Sequence, residues 1–486
     1  MSRFVAAALV FVCSAAVLML EILAGRLLAP YVGISLETYT SIIGTVLAGI
    51  AAGAWLGGRL ADRFDPRRLL GPTVCLGGLL ALFTVPIVRW LGHVSDNGAG
   101  RGTTLLLTFT GFFLPAVVLS AVTPMVVKMQ LHDLHRTGGV VGRLSGISTT
   151  GALVGTFVTG YLLTATAPTS STIFALGTTL VVIGVGLGLF FSRRAGGALA
   201  IVAALGVAGG SLAATAHGPC QVESAYFCIT VQRDPNRASG RILRLDNLTH
   251  SYVDLADPTD LVYPYTISLA EVIASAFPNH PALDVLHIGG GGFTLPRYLA
   301  AEYPGTTSVV LEIDPEILKV GREELGLHTS SALQVRIGDA RVGIRKIASH
   351  TEDVVVGDAF ASLSVPWHLT TVEFDREVAR VLRSNGIYIM NVIDYPPYRF
   401  VRAELATLRK VFPWVGAISP AFSVYSGGNV VLAAASRPLY TGGLETRLVG
   451  STLLQGLPLD DFVAGAPVIR DDSAPVDQWP YDDHHR

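Results

Sequence analysis

Long apolar runs fill the first 217 residues of this chain, and they constrain its fold more than any other feature. Each is long enough, at about 20 residues, to cross the hydrocarbon core of a bilayer. The runs cover residues 4–23, 38–58, 69–91, 103–127, 147–165, 170–191 and 198–216. We therefore predict a multi-pass α-helical membrane bundle with 6–7 spans over residues 1–217. The last run is rich in Gly and Ala, and it leaves the count open between six and seven.

Composition separates this half of the chain from the rest. Half of the 486 residues are hydrophobic, only 15% are charged, and the mean hydropathy is +0.50, which is more apolar than an ordinary soluble protein. The excess lies in residues 1–217, so we predict the lipid bilayer as their partner. The formal net charge of −2 gives no electrostatic support for binding nucleic acid. Glycines recur every three to five residues in two of the runs, which indicates close helix packing in lipid. They are Gly44, Gly49, Gly53, Gly57, Gly151, Gly155 and Gly160.

A run of four glycines, Gly289–Gly292, organises the second half of the chain. It follows a short apolar strand, 285–288, and precedes a predicted helix over 293–301. Glycines at such a junction allow a tight turn and let a ligand approach the N–H groups of a helix N-terminus. The sequence therefore predicts a ligand-binding loop here.

Acidic residues follow the next three predicted strands. Glu312 and Asp314 come after strand 308–311, Asp339 after strand 332–337, and Asp358 after strand 353–356. Glu312 lies 20 residues beyond Gly292, where dinucleotide-binding folds place an acid that contacts ribose. Because helices alternate with these strands, a parallel sheet with its ligand at the carboxyl ends is predicted. The glycines and the acids should then meet in one crevice.

Four domains follow from these patterns. Residues 1–217 form the membrane domain, and residues 218–258 a small antiparallel β-sheet that alternates in the β manner. Residues 259–436 form a Rossmann-like, methyltransferase-type α/β domain, and residues 437–486 an irregular C-terminal tail. His484 and His485 have no partner ligands at suitable spacing, so no metal is predicted.

Several stretches of this second half resemble the spermidine synthase (polyamine aminopropyltransferase) family over about residues 222–435. They are Val285-Leu-His-Ile-Gly-Gly-Gly291, Val310-Leu-Glu-Ile-Asp-Pro315, Gly338-Asp339 and Val354–Asp358. The apolar half fused in front of them resembles the membrane-bound, transporter-fused branch of that family.

The resemblance implies an enzyme that transfers an aminopropyl group from decarboxylated S-adenosylmethionine to an amine. Asp358 matches the catalytic acid, and Tyr263 and Tyr265 are placed on the amine side. The resemblance implies no metal, and because family members are often dimers it also allows a homodimer. The residues that it implies for binding the nucleoside co-substrate are Gly289, Gly290, Gly291, Gly292, Glu312, Asp314, Asp339, Ala340 and His250.

The chain also departs from the family pattern. Gly292 stands where the family has an Asp in the loop, Ala361 where it has a second Asp, and His250 where it has a Gln. Fewer carboxylates weaken the selective hold on a polycationic amine, so putrescine is not favoured as the acceptor. Two alternatives stay open: an S-adenosylmethionine-dependent methyltransferase, and a transporter or sensor whose domain binds nucleosides or polyamines without turnover.

The distribution of Lys and Arg predicts the orientation in the membrane. The positive-inside rule places the N-terminus in the cytoplasm. Seven spans would then put residues 218–486 outside, and six would keep them inside. A disulfide between Cys220 and Cys228 would fit the outside, whereas a cytosolic nucleoside co-substrate fits the inside, so the side is left open. The basic residues on the predicted inner side are Arg3, Arg59, Arg63, Arg67, Arg68, Lys128, Arg136, Arg143, Arg193 and Arg194.

Overall fold

The chain divides into two compact units. A computed structural model describes residues 1–33, 36–94, 101–131, 137–191, 200–204, 206–210, 218–279, 281–360, 365–418, 428–439, 459–476 and 479. One unit comprises Met1–Thr230 with Leu245–Asn247, and the other comprises Val231–Arg244 with Leu248–Arg486.

Six helical segments in the first unit are long and apolar enough to cross a membrane, as the sequence predicts. Segments 1 to 6 are Arg3–Val32, Glu37–Arg63, Pro66–Gly92, Gly102–Gln130, Thr137–Leu163 and Thr169–Phe191. Segment 4 contains a π-helical turn at Phe109–Phe113, and segment 5 ends in another at Thr159–Leu163. Of the seventh predicted run, the structure describes a shorter apolar helix, Ala200–Gly210. The rest of that run lies outside the described residues.

Glycines bring the backbones of the segments close together. A Cβ atom added at Gly53 or Gly57 would collide with the backbone of segment 4, at Val117 and Ala121. Gly155 of segment 5 likewise lies against Ala15 of segment 1. A Cβ atom added at Gly155 would be 2.6 Å from the carbonyl oxygen of Ala15. Small residues therefore permit close helix packing at these positions. Gly44 and Gly160, predicted to share this role, have no described neighbour within 4 Å of an added Cβ.

Four short strands precede the α/β domain and form one sheet in sequence order. β1 pairs antiparallel with β2, and a disulfide joins Cys220 to Cys228 beside this pair. The strands are β1 (Val222–Glu223), β2 (Cys228–Arg233), β3 (Gly240–Leu245) and β4 (Leu248–Asp254).

A seven-stranded sheet forms the centre of the second unit, and the predicted Rossmann-like domain is confirmed. Its strands are β5 (Asp284–Ile288), β6 (Thr307–Glu312), β7 (Leu333–Ile337), β8 (Glu352–Gly357), β9 (Leu382–Asp394), β10 (Trp414–Ile418) and β11 (Gly428–Ala435). They lie in the order β10-β11-β9-β8-β5-β6-β7. Strands β5 to β9 are parallel, and β11 runs antiparallel to β9 and β10. The strand order reverses between β5 and β8, which is where open α/β sheets bind ligands.

Helices cover both faces of this sheet because the strands are apolar on both sides. Val354 and Val356 face a core with Pro264–Ala276 and Thr294–Glu302, whereas Val355 faces the opposite core. The remaining helices of this unit are Pro315–Glu324, Ala340–Gly343, Val372–Val381, Arg399–Leu408 and Leu459–Phe462.

Three details differ from the sequence-based expectation. β9 begins at Leu382, so residues 385–386 lie within the strand and not in the predicted turn, and a register irregularity between Glu352 and Val354 accompanies this extension. Strand β10 was not predicted. The predicted irregular tail contains a short helix, and Ile469 and Val476 are buried in the core. Residues 480–486, which include His484 and His485, lie outside the described part of the chain.

Candidate active site

The loop after β5 requires glycine for both conformation and space. Gly289 has φ +94° and Gly291 has φ +49°, a region that favours residues without a Cβ atom. A Cβ atom at Gly290 would lie 2.7 Å from the ring of Phe293 and 3.0 Å from Oε2 of Glu312. The loop is therefore packed against its surroundings, and the Gly290 N–H faces the carboxylate at the end of β6.

Glu312 ends β6 and is fixed by two backbone amides. Its Oε2 accepts a hydrogen bond from the Gly290 N–H at 2.7 Å, and its Oε1 accepts one from the Asp314 N–H at 2.8 Å. The side chain is only 5% exposed, and this burial raises its pKa while the amide hydrogen bonds oppose the rise. Each oxygen retains a lone pair that could accept from a ligand hydroxyl.

Asp358 follows β8 and lies directly beside the loop. Its N–H donates to the carbonyl oxygen of Ile288 at 2.9 Å, and its own carbonyl oxygen abuts Gly289. Asn391 donates to Asp358 Oδ1 at 2.9 Å, and the nearby hydroxyl of Tyr265 donates to the carbonyl oxygen of His250 at 3.4 Å. Burial raises the pKa of Asp358 to about 6, and Asn391 and the Tyr265 hydroxyl limit the rise.

Two asparagines support this acid, and sequence reasoning missed both. Asn429 on β11 donates to Asn391 Oδ1 at 3.0 Å, and the Asn391 amide then faces Asp358. Asn391 is only 2% exposed. A polar residue inside the apolar strand 387–392 was the available signal, because a buried amide needs partners.

Strand β4 covers the other side of the loop with His250 and Ser251. Ser251 Oγ accepts a hydrogen bond from the Gly292 N–H at 3.0 Å. Burial lowers the pKa of His250 to about 4, so its imidazole is neutral near pH 7. Its Nδ1 is shielded from solvent, near Gly291, and has no hydrogen-bond partner among the described residues. Such an atom is suited to meeting a ligand group.

The other predicted site residues are less central. Asp314 is fully buried, and its carboxylate caps the helix Pro315–Glu324 through the Glu316 N–H. Asp339 caps the next helix and lies 3.4 Å from His368, one strand beyond Glu312, with Ala340 buried behind it. The ring of Tyr263 lies 6.3 Å from that of Tyr252, edge-on, and 6.3 Å from that of Tyr265, at a tilt of 32°.

The loop, Glu312, Asp358, His250 and Tyr265 thus surround one region of the second unit. A cavity of about 360 Å³, counting its open mouth, lies beside the loop. Asp358 is the only carboxylate among its described lining residues, and Tyr265, Leu269 and His287 contribute to the rest. No group of three or more His, Cys, Asp and Glu that could hold a metal ion occurs within the described ranges.

Most of the similar proteins are polyamine aminopropyltransferases, and one is an eEF1A lysine and N-terminal methyltransferase of Xenopus laevis, 28% identical over 141 residues and covering 27% of this chain and 20% of that protein. The chain is 32% identical over 161 residues to a polyamine aminopropyltransferase of Vibrio vulnificus, covering 32% of this chain and 52% of that protein. It is 27% identical over 435 residues to polyamine aminopropyltransferase 2 of Streptomyces coelicolor, covering 84% of this chain and 77% of that protein. The C-terminal part of the chain is similar to the polyamine aminopropyltransferase (spermidine synthase) family. The spermidine synthase-like region alone is shorter than the Streptomyces alignment, which therefore also extends into the helical half.

The extent of these matches is uneven. The chain spans only 52% and 57% of the length of the polyamine aminopropyltransferases of Vibrio vulnificus and Chromobacterium violaceum that it matches. A crystal structure of a probable spermidine synthase from Corynebacterium glutamicum is 25% identical, with a TM-score of 0.47 over 51% of this chain and 95% of that one. No family model matches the chain.

Proposed function

We propose that the second unit transfers an aminopropyl group from decarboxylated S-adenosylmethionine to an amine. The observation that carries the proposal is the position of Asp358 at the strand-order reversal, beside the glycine loop, with a pKa raised to about 6. A carboxylate with this pKa is mostly ionised at neutral pH and accepts a proton better than an ordinary surface Asp.

The chemistry follows from that acid. The ammonium group of the acceptor gives its proton to Asp358, and the freed nitrogen lone pair attacks the aminopropyl carbon next to the sulfonium. The carbon–sulfur bond breaks and its electrons go to sulfur, which releases neutral methylthioadenosine. Asn391 keeps the carboxylate oriented during this transfer.

The nucleoside part of the donor has matching groups in the structure. The Gly289–Gly292 loop offers close backbone approach, and Glu312 offers its remaining lone pairs to the ribose hydroxyls. Nδ1 of His250, which has no partner in the described part of the chain, can accept a hydrogen bond from the donor. We also assign Asp339 and Ala340 to the adenine end, because they follow the strand next to Glu312.

The acceptor that fits best carries less charge than a diamine. Asp358 is the only acid among the described cavity residues, and Leu269, Leu295 and Val356 contribute apolar side chains. A second ammonium would enter such surroundings without a carboxylate partner, which is costly. Ala361, where the family has a second acid, lies outside the described residues. We therefore propose an amine with a single ammonium and an apolar chain.

We further propose that the protein is held in the cell membrane by its helical unit. Six segments have suitable length and composition, and the Streptomyces relative aligns over 84% of the chain. A hydrophobic stretch of this length inserts stably when it has few charges.

The test uses purified full-length protein with decarboxylated S-adenosylmethionine and a panel of monoamines and diamines. Release of methylthioadenosine is expected with monoamines, and Asp358→Asn should abolish it, whereas Asp472→Asn at an exposed site should not. Binding of the donor without product from any amine would overturn the transferase proposal. Product from S-adenosylmethionine alone would replace it with methyl transfer.

A further inference from the structure

The two ends of the helical unit can be told apart by their contacts. At one end, Lys128 of segment 4 pairs with Asp62 of segment 2, with Nζ and Oδ1 2.8 Å apart. Gln130 donates to the carbonyl oxygen of Met1 at the same end. The connection between segments 2 and 3 also lies there, and it carries the most arginines. We call this the basic end; its arginines are Arg63, Arg67 and Arg68.

The opposite end is formed where segment 3 finishes and segment 6 begins. These two segments are antiparallel, because Gly71 packs on Gly188 and Gly78 packs on Gly177. Arg89, late in segment 3, accordingly lies 3.4 Å from the hydroxyl of Ser170, the second residue of segment 6. We call this the distal end. Segment 6 has 23 residues, so it extends over about 34 Å from the distal end to the basic end.

Residue 218, which follows segment 6 and the helix Ala200–Gly210, lies at the distal end. A Cβ atom at Gly218 would lie 3.1 Å from the guanidinium carbon of Arg89. Glu223 accepts a hydrogen bond from the Ser170 N–H at 3.2 Å, and Arg26 donates to the carbonyl oxygen of Ser224 at 2.6 Å. Three independent contacts therefore hold the start of the β region at the end opposite to where segment 6 finishes.

The intervening helix runs in the direction that this return requires. Gly206 of the helix Ala200–Gly210 packs on Leu79, and Gly209 lies beside Phe83, 3.9 Å from an added Cβ. Higher residue numbers in the helix thus meet higher numbers in segment 3. The helix is parallel to segment 3 and therefore runs in the direction from the basic end to the distal end.

We infer that the chain crosses the bilayer seven times and carries its spermidine synthase-like unit outside the cytoplasm. The positive-inside rule places the basic end in the cytoplasm, so the distal end faces away from it. The Cys220–Cys228 disulfide lies at the distal end and agrees with this, since disulfides persist in oxidising compartments. After Gly210, no described helix is long and apolar enough to cross back.

This topology has a chemical consequence for the site. A nucleoside donor made in the cytoplasm must be exported or released on the outer side before this domain can use it. The topology depends on the proposed membrane location and is independent of the proposed transfer reaction. If the protein has the expected topology but releases no methylthioadenosine, only the proposed reaction is contradicted, and the topology stands.

Cysteine labelling of the full-length protein in intact cells tests the inference. Ser331→Cys places a thiol on an exposed turn of the second unit, and Asp65→Cys places one at the basic end. The native Cys13 and Cys75 are each 1% exposed and contribute little background. A membrane-impermeant maleimide should label Ser331→Cys directly and Asp65→Cys only after permeabilisation. The reverse pattern would overturn the inference.

The state of the native cysteine pair gives a second measurement. In cells lysed directly into an alkylating reagent under denaturing conditions, Cys220 and Cys228 should gain alkyl groups only after a reductant is added. The Cys220→Ser/Cys228→Ser variant is the control and should show no reductant-dependent gain. Complete alkylation of both thiols without reductant would contradict an outer location.

Discussion

Asn391 donates a hydrogen bond to Asp358 from the neighbouring parallel strand, with Nδ2 and Oδ1 2.9 Å apart. The same amide accepts from Asn429 through its oxygen, so its orientation is fixed by two partners. Because Asn391 donates the hydrogen bond and Asp358 accepts it, the bond stabilises the ionised form of the carboxylate. It limits the rise in the pKa of Asp358 that burial causes.

The rate of the proposed reaction should depend on pH through Asp358. Its pKa is raised to about 6, and only the ionised form accepts a proton, so activity should fall as pH decreases through about 6. Initial rates of methylthioadenosine formation between pH 5 and 8, at saturating donor and amine, measure this limb. A rate that stays constant down to pH 5 would contradict the assignment.

Replacing Asn391 with Ala should move the pH at which the rate falls on the acidic side to a higher value. The lost hydrogen bond stabilised the charged form, and such a bond contributes about 1.5 kcal/mol, or roughly one pH unit. Asn429→Ala, which removes only the second partner, should shift the limb less. Equal pH profiles for wild type and Asn391→Ala would show that Asn391 has no role in positioning the acid.

Glu312→Gln should weaken donor binding by about tenfold or more. Both carboxylate oxygens accept from backbone amides, so an NH₂ group in place of either oxygen would face another donor. Calorimetric titration with methylthioadenosine measures the effect. Glu323→Gln, an exposed change on a nearby helix, is the control and should bind as wild type. Undiminished binding by Glu312→Gln would remove Glu312 from the ribose site.

Gly292→Ala should destabilise the loop, and Ser251→Gly should relieve the effect. The added Cβ would lie 2.7 Å from Ser251 Cβ, closer than two such atoms approach in real structures. Thermal unfolding of the two single variants and the double variant forms a cycle that isolates this contact. Additive changes in the unfolding midpoint would mean that the two residues do not compete for the same space.

A buried acid pair should make the second unit less stable as pH rises. Asp375 and Glu404 are fully buried without described hydrogen-bond partners, and burial raises the pKa of both well above the ordinary value. Their folded-state pKa exceeds the unfolded one, so stability falls as pH increases above about 4. Asp375→Asn should raise the unfolding midpoint at pH 8 more than at pH 5, unlike the exposed control Glu323→Gln. An equal change at both pH values would contradict this.

The central part of the site could be predicted because it is encoded locally. Each parallel strand is a short apolar run, and the residue that follows it, such as Glu312 or Asp358, lies at the carboxyl edge for any sheet of this class. The position of the four glycines between a strand and a helix identifies the loop in the same way.

The parts that could not be predicted depend on contacts between distant residues. Ser251 lies 41 residues before Gly292 in the sequence, yet it fills the space that a side chain at position 292 would need. The pairing of β11 with β9 brings Asn429 to Asn391. Strand β10 is five residues long and follows a helix closely, so its short apolar pattern could not be separated from a loop.

The attachment of Glu312 to two amides has a kinetic consequence. Its carboxylate is oriented by Gly290 and Asp314 through backbone hydrogen bonds, so, if Glu312 binds the nucleoside as proposed, binding should require little rearrangement of this side chain. Encounter with the donor, and not ordering of the loop, would then set how quickly the complex forms.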